Sequence, residues 1–134
     1  MPVTLTSRDL SRLKGVHPDL VRVVKRLADL SGIQFTVLEG VRTVERQREL
    51  VKAGASKTMN SRHIPAKNGF GHAVDIAPML NGKITWDWPL YHKLAPLMKQ
   101  AAKKEAVAIE WGGDWTSFKD GPHWQLTWAA YPGK

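Results

Sequence analysis

Two stretches, Gly71-His72-Ala73-Val74-Asp75-Ile76-Ala77 and His123-Trp124-Gln125-Leu126-Thr127-Trp128, decide how this chain is read. Each alternates in polarity, and each predicts a strand with one buried face and one polar face. In the first, His72, Val74 and Ile76 share a face, while Asp75 shares the other with the small residues Ala73 and Ala77. In the second, Trp124, Leu126 and Trp128 form the apolar face and His123, Gln125 and Thr127 the polar one. A carboxylate between two β-branched residues is costly to bury without a partner, so Asp75 is the most informative single residue. His72 points away from it. The partner for Asp75 is better sought in the preceding loop, where Ser61-Arg62-His63 stands just before Ile64-Pro65. Asp120 precedes His123 by three residues across the turn pair Gly121-Pro122. That turn can bring the Asp120 carboxylate to the same side as His123, as a base beside a metal. His and Asp are ordinary ligands of a catalytic zinc that keeps one position open for water.

Working outward, residues 6–15 predict a short helix capped by Thr6 or Ser7 and stopped by Gly15. Pro18 opens a second helix over Asp19–Leu30, with Leu20, Val23, Val24, Leu27 and Leu30 on one face. Gln34–Glu39 reads as a strand. Gly40-Val41-Arg42-Thr43 hands over to a helix over Val44–Ala53, with Thr43 as N-cap, which places Arg42 in a loop able to face a site. Residues 54–71 are loop. The strand from Ala73 is expected to end at Pro78, and Asn81-Gly82 signals a hairpin into Lys83–Trp86. Asp87 can cap a helix from Trp88 to Lys104, which Pro96 should kink or divide. Ala108–Trp111 and His123–Trp128 complete the strands. Helices followed by a small antiparallel sheet with one inserted helix indicate an α+β class, in a single domain covering residues 1–134. His17 and His92 have no company in the sequence and read as surface or helix residues.

At 134 residues without a cysteine, the chain can bury one core but can form neither a disulfide framework nor a thiolate metal site. No apolar run is long enough to cross a bilayer, so stable membrane insertion is not expected. Met1-Pro2-Val3-Thr4-Leu5 lacks the apolar core of a signal peptide, which implies storage in the cytosol. The net charge of +8 is spread along the chain without a block of like charges. It reads as solvated helix faces with a general attraction to polyanions, not as a nucleic-acid groove.

The ordered motifs resemble a known family. Ser61-Arg62-His63 with Gly71-His72-Ala73-Val74-Asp75 is similar to the Ser-x-His…Gly-x-Ala-x-Asp motif of the D-alanyl-D-alanine (VanX/VanY-type) and L-alanyl-D-glutamate metallopeptidases. Asp120-Gly121-Pro122-His123-Trp124 resembles their closing element, and Gly40-Val41-Arg42-Thr43…Gln47 their Gly-x-Arg-Thr…Gln segment. The likeness runs from about residue 18 to 128 and is nearest to compact phage endolysins that cut the L-Ala–D-Glu bond of peptidoglycan stem peptides. It implies a hedgehog/D-Ala-D-Ala-peptidase-like fold and zinc held by His63, Asp75 and His123. It further implies Asp120 as general base, Arg42 as the cation on the substrate carbonyl, and Arg42, Gln47 and Ser61 as substrate-binding residues. The loop after His63 is longer than the family's usual spacing, which leaves His72 as the alternative first ligand. The carboxylate before the last His is Asp here and Glu in many dipeptidases, which fits the endopeptidase branch.

The resemblance also implies a monomer that acts on the wall after a separate holin-type pore protein releases it from the host cytoplasm, with no wall-binding module of its own. Three other readings compete: a D-Ala-D-Ala carboxypeptidase of the same fold, a zinc-stabilised wall-binding module without catalysis, and a basic nucleic-acid binder. Asp120 argues against the binding module, because a structural zinc site keeps no open position for a base to serve.

Overall fold

The computed structural model describes residues 3–56, 59–117 and 119–132. Helix α1 spans Ser7–Arg12, α2 Pro18–Leu30, α3 Val44–Lys52 and α4 Trp88–Glu105. The strands are β1 Phe35–Glu39, β2 Ala73–Leu80, β3 Lys83–Ile84, β4 Ile109–Trp111 and β5 His123–Leu126. They form an antiparallel sheet in the order β1-β2-β5-β4, with β3 added to the far end of β2. This is the α+β arrangement expected from the element order. The loop expected over 54–71 includes Lys57 and Thr58, which lie outside the described residues, as do the chain ends expected to belong to the single domain.

The core follows from the two periodicities. Leu20, Val23, Val24 and Leu27 of α2 and Leu94, Met98 and Ala101 of α4 pack on the sheet face made by Phe35, Val37, Val74, Ile76, Trp124 and Leu126. Each fully buried aliphatic or aromatic side chain contributes roughly 1.5–3 kcal/mol relative to exposure. The opposite sheet face is left to the polar alternates, Asp75 on β2 and His123 and Gln125 on β5. At the N-terminal end, Thr6 and Asp9 form a capping box on α1. The buried Asp9 also accepts from the Thr36 hydroxyl at 2.6 Å and the Val37 N–H at 2.9 Å, which ties α1 to β1.

Four expectations are corrected. The first helix is shorter than 6–15, ending at Arg12, and turns run on to Gly15. Strand β2 does not stop at Pro78 but continues to Leu80. Met79 N–H donates toward β1, to Gln34 O at 2.7 Å, and Ile76 N–H donates the other way, to Pro122 O at 2.9 Å. Alternation therefore turns the Pro78 nitrogen to the β5 side, past the last β5 partner, Asp75↔His123, and before the β3 pairing starts at Met79↔Ile84. No donor is needed in that gap, so proline is tolerated inside the strand. Helix α4 runs unbroken through Pro96. Pro96 and His92, whose carbonyl loses its helical donor, are both exposed, and water can take the missing partner's place. Finally, β5 ends at Leu126, and Trp128 does not join the buried face: it is 36% exposed and lies over the Arg62 guanidinium at 3.6 Å. The Asn81-Gly82 hairpin forms as expected, with positive φ at both residues.

Candidate metal centre and its cleft

Three elements bring the polar residues together. Asp75 stands on the solvent-facing side of β2 directly opposite His123 of β5. His63 comes from the preceding loop, whose turn is held by the Ser61 hydroxyl accepting the His63 N–H at 3.2 Å. The loop after β1 lies on that turn, with Arg42 N–H donating to His63 O at 2.9 Å. His63 Nε2 is 3.1 Å from Asp75 Oδ1 and 3.2 Å from His123 Nδ1, and His123 Nδ1 is 3.3 Å from Asp75 Oδ1. These three make up a group able to hold a metal ion among the described residues.

The hydrogen bonds behind the ligand atoms fix the imidazole tautomers. His63 Nδ1 faces the Gly40 carbonyl oxygen at 2.7 Å, which can only accept, so Nδ1 carries the proton and Nε2 presents a lone pair. On the other side Gln125 Nε2 donates to Glu110 Oε1 at 2.9 Å, which turns Gln125 Oε1 toward His123 Nε2 at 2.7 Å. His123 Nε2 is therefore the protonated nitrogen, and Nδ1 faces inward as an acceptor. Two imidazole lone pairs and a carboxylate oxygen converge with no donor between them. Tetrahedral bonds of about 2.0–2.1 Å put ligand atoms about 3.3 Å apart, which is close to the triangle observed. The residues present fit a zinc-type ion.

Electrostatics agree. Burial pushes the Asp75 carboxyl up, but His63 and His123 outweigh it and hold it well below the usual carboxylate range. Burial pushes His123 down, but Asp75, Gln125 and Asp120 leave it raised. The locus demands positive charge. Asp120 sits on the wall of the same cleft, of about 580 Å³, with His63, Asp75, His123 and Arg42. Burial, followed by the charge of Asp75, raises its pKa, and the opposing pull of His123, His63 and Arg42 does not cancel this. Gly112 makes its approach possible: a Cβ there would meet Asp120 O at 2.4 Å, and Asp120 N–H donates to Gly112 O at 3.0 Å.

Arg42 is held from three sides. Its guanidinium donates to Glu39, donates to Gln47 Oε1 at 2.8 Å, and stands 3.7 Å from Asp75 Oδ2. Ser61 lines the cleft. Gln47 is placed differently from the expectation: it is fully buried beneath Arg42, with Nε2 donating to Ser56 at 2.8 Å, and braces the guanidinium from below. His72 is not part of the triangle. Its Nδ1 lies 2.7 Å from Arg62 Nη1 and its Nε2 3.0 Å from Asn68 Nδ2. Burial first, then Arg62 and His17, push its pKa down to about 4. His17 is no plain surface residue: its Nδ1 caps α2 by accepting Asp19 N–H at 3.0 Å, and its ring packs against Phe70, His72 and Tyr131. Sequence reasoning also passed over Glu39, Glu110 and the support role of Gln125. For Gln125 the signal was present, since alternation puts it on the same face as His123. For Glu110 it was not, since the β4–β5 register sets its neighbour.

A family model described as phage L-alanyl-D-glutamate peptidase matches residues 1–126. The chain belongs to that family. It is 36% identical to the L-alanyl-D-glutamate peptidase of Listeria phage A118 over 128 residues, 93% of this chain but 43% of that protein, so it spans less than half of that relative's length. It is 33% identical to the L-alanyl-D-glutamate peptidase of Escherichia phage T5, over 81% of this chain and 79% of that one. Among solved structures, Serratia marcescens L-Ala D-Glu endopeptidase ChiX superposes with a TM-score of 0.86 at 45% identity, over 96% of this chain and 92% of the other. Within the phage L-alanyl-D-glutamate peptidase family, this chain's cleft therefore places a metal-competent His-Asp-His triangle, a raised carboxylate and a braced arginine around one volume.

Proposed function

We propose that the chain hydrolyses the L-Ala–D-Glu bond of peptidoglycan stem peptides, with zinc held by His63, Asp75 and His123. The observation that carries the metal half is the triangle of three acceptor atoms 3.1–3.3 Å apart whose tautomers are set from behind. Family membership carries the substrate half. When bound, zinc supplies Lewis acidity toward the scissile carbonyl and lowers the pKa of a water in its open position.

Asp120 is the base. A carboxyl whose pKa is raised by burial and a neighbouring negative charge accepts a proton from the attacking water more readily than an ordinary one, and passes it to the leaving amine. Arg42 supplies a fixed positive charge for the oxygen that becomes negative in the transition state. Because Glu39 and Gln47 already hold it, little reorganisation is needed at the moment of reaction. Ser61 is placed to bind substrate at the cleft wall while it holds the His63 turn, and Gln47 acts through Arg42. A cleft of about 580 Å³ is large enough to take a short peptide segment.

We further propose a monomer that reaches the wall through a separate pore-forming protein. The net charge of +8, which favours anionic envelope polymers, supports action at the wall. No helix among the described residues is long and apolar enough to cross a membrane.

Digestion of a defined muropeptide by the zinc-loaded protein, with products identified by mass spectrometry, tests the bond. The expected product is a fragment with a new N-terminal D-Glu. Release of terminal D-Ala would make the enzyme a carboxypeptidase, and a protein that holds zinc but cuts nothing would be a binding module.

A further inference from the structure

Behind His123 runs a hydrogen-bonded chain that starts buried and ends in a half-buried charge. His123 Nε2–H donates to Gln125 Oε1 at 2.7 Å, and Gln125 Nε2 donates to Glu110 Oε1 at 2.9 Å. The other Glu110 oxygen lies 3.4 Å from Trp115 Nε1. Gln125 is buried, and β4–β5 pairing sets it directly across from Glu110. The arrangement at His63 is simpler, with one backbone carbonyl, Gly40 O.

Resting on the metal reading above, we infer that Gln125 and Glu110 are a positioning pair that sets metal affinity through His123. The carboxylate decides which end of the amide faces His123, and the amide in turn decides which imidazole nitrogen is free for the ion. Without Glu110 the amide can flip and present its NH2 group, a donor, to His123 Nε2. The ring would then lose the acceptor that keeps Nδ1 turned inward. The neutral amide also keeps the carboxylate one residue away from the ring, so His123 donates a hydrogen bond to a neutral acceptor while Glu110 polarises that acceptor. Partners of this kind behind a metal ligand typically change affinity by 10–100-fold.

The test compares wild type with Gln125→Leu and with the exchanged pair Glu110→Gln/Gln125→Glu. In the exchanged protein a carboxylate accepts from His123 and an amide donates to it, so every hydrogen bond of the chain is kept. Zinc affinity is read by chelator competition, and the His123 Nε2–H proton by NMR of the zinc-loaded proteins. Thermal melting confirms that each variant is folded. Gln125→Leu is expected to bind zinc about 10–100-fold more weakly and to lose the protected Nε2–H signal, while the exchanged pair restores both to near wild type. Two outcomes overturn the pair's role: a folded Gln125→Leu protein with wild-type affinity and an unchanged signal, or a folded exchanged pair as weak as Gln125→Leu. Failure of wild type to retain zinc would sink the metal reading together with this one. Cleavage of a bond other than L-Ala–D-Glu would leave this inference standing.

Discussion

The Gly40 carbonyl oxygen lies 2.7 Å from His63 Nδ1, so a glycine in the loop after β1 fixes the tautomer of a residue 23 positions away. The position admits nothing larger. A Cβ on Gly40 would stand 2.1 Å from the Arg12 carbonyl oxygen and 2.7 Å from Val16 Cγ2, and Arg12 is itself tied to β1 through Nη1 donating to Val37 O at 2.8 Å. Gly40→Ala must move backbone, at a cost of about 2–3 kcal/mol. It should also weaken zinc binding, because the carbonyl moves with it. Chemical denaturation together with chelator competition checks this; wild-type values in both would contradict the account.

His63 and His72 are the two candidates for the first ligand, and the structure separates them. His63→Ala should abolish tight zinc binding. His72→Ala should keep one zinc per chain yet lose about 2–4 kcal/mol of stability, since it removes a buried partner of the Arg62 guanidinium. Metal content by atomic emission, paired with thermal melts, reads both. Loss of zinc from His72→Ala while His63→Ala retains it would reverse the assignment.

Asp9 gives the fold an acid-sensitive joint between α1 and β1. Burial pushes its pKa up, but the hydrogen bonds from Thr36, Thr6 and Val37 outweigh burial and leave it below its ordinary value. A folded pKa below the unfolded one means that the unfolded chain binds more protons between the two values. The contribution is therefore fully present above the unfolded pKa of about 3.9 and is lost as pH falls toward the folded one. Asp9→Asn should lower stability at neutral pH and flatten the fall of stability below about pH 4. Denaturation midpoints from neutral pH down to pH 3 check it, and an unchanged acid slope would count against it.

Arg42 carries charge in a planar fork that contacts Glu39, Gln47 and Asp75 together. Lysine keeps the charge and cannot make the fork. Arg42→Lys should lower kcat by on the order of 10²-fold with zinc content unchanged and KM little altered. Wild-type kcat in that variant would show that the position needs only a positive charge.

What the sequence made legible was mostly what period-2 and period-3.6 patterns control. Alternation put Asp75 and His123 on the polar faces of their strands, and Thr43 marked the handover that leaves Arg42 beside the site. What stayed hidden depends on contacts between distant segments. Pro78 stays within β2 because of where two neighbouring ladders end and begin. Trp128 reads as a core residue by alternation, yet the strand ends two residues earlier and the ring covers Arg62 instead. Gln47 looked like a residue that could meet substrate, and helix packing buries it beneath Arg42. Glu110 gains its role from strand register, which no local pattern encodes.

The most direct test of the central claim is peptidoglycan digestion by zinc-loaded wild type and Asp120→Asn, with zinc counted in both preparations. Asparagine keeps the size of the side chain and removes the proton acceptor. The account predicts one zinc per chain in each protein, release of new N-terminal D-Glu by wild type, and at least a 10²-fold lower rate for Asp120→Asn. An Asp120→Asn protein that cuts at the wild-type rate with its zinc in place would contradict it.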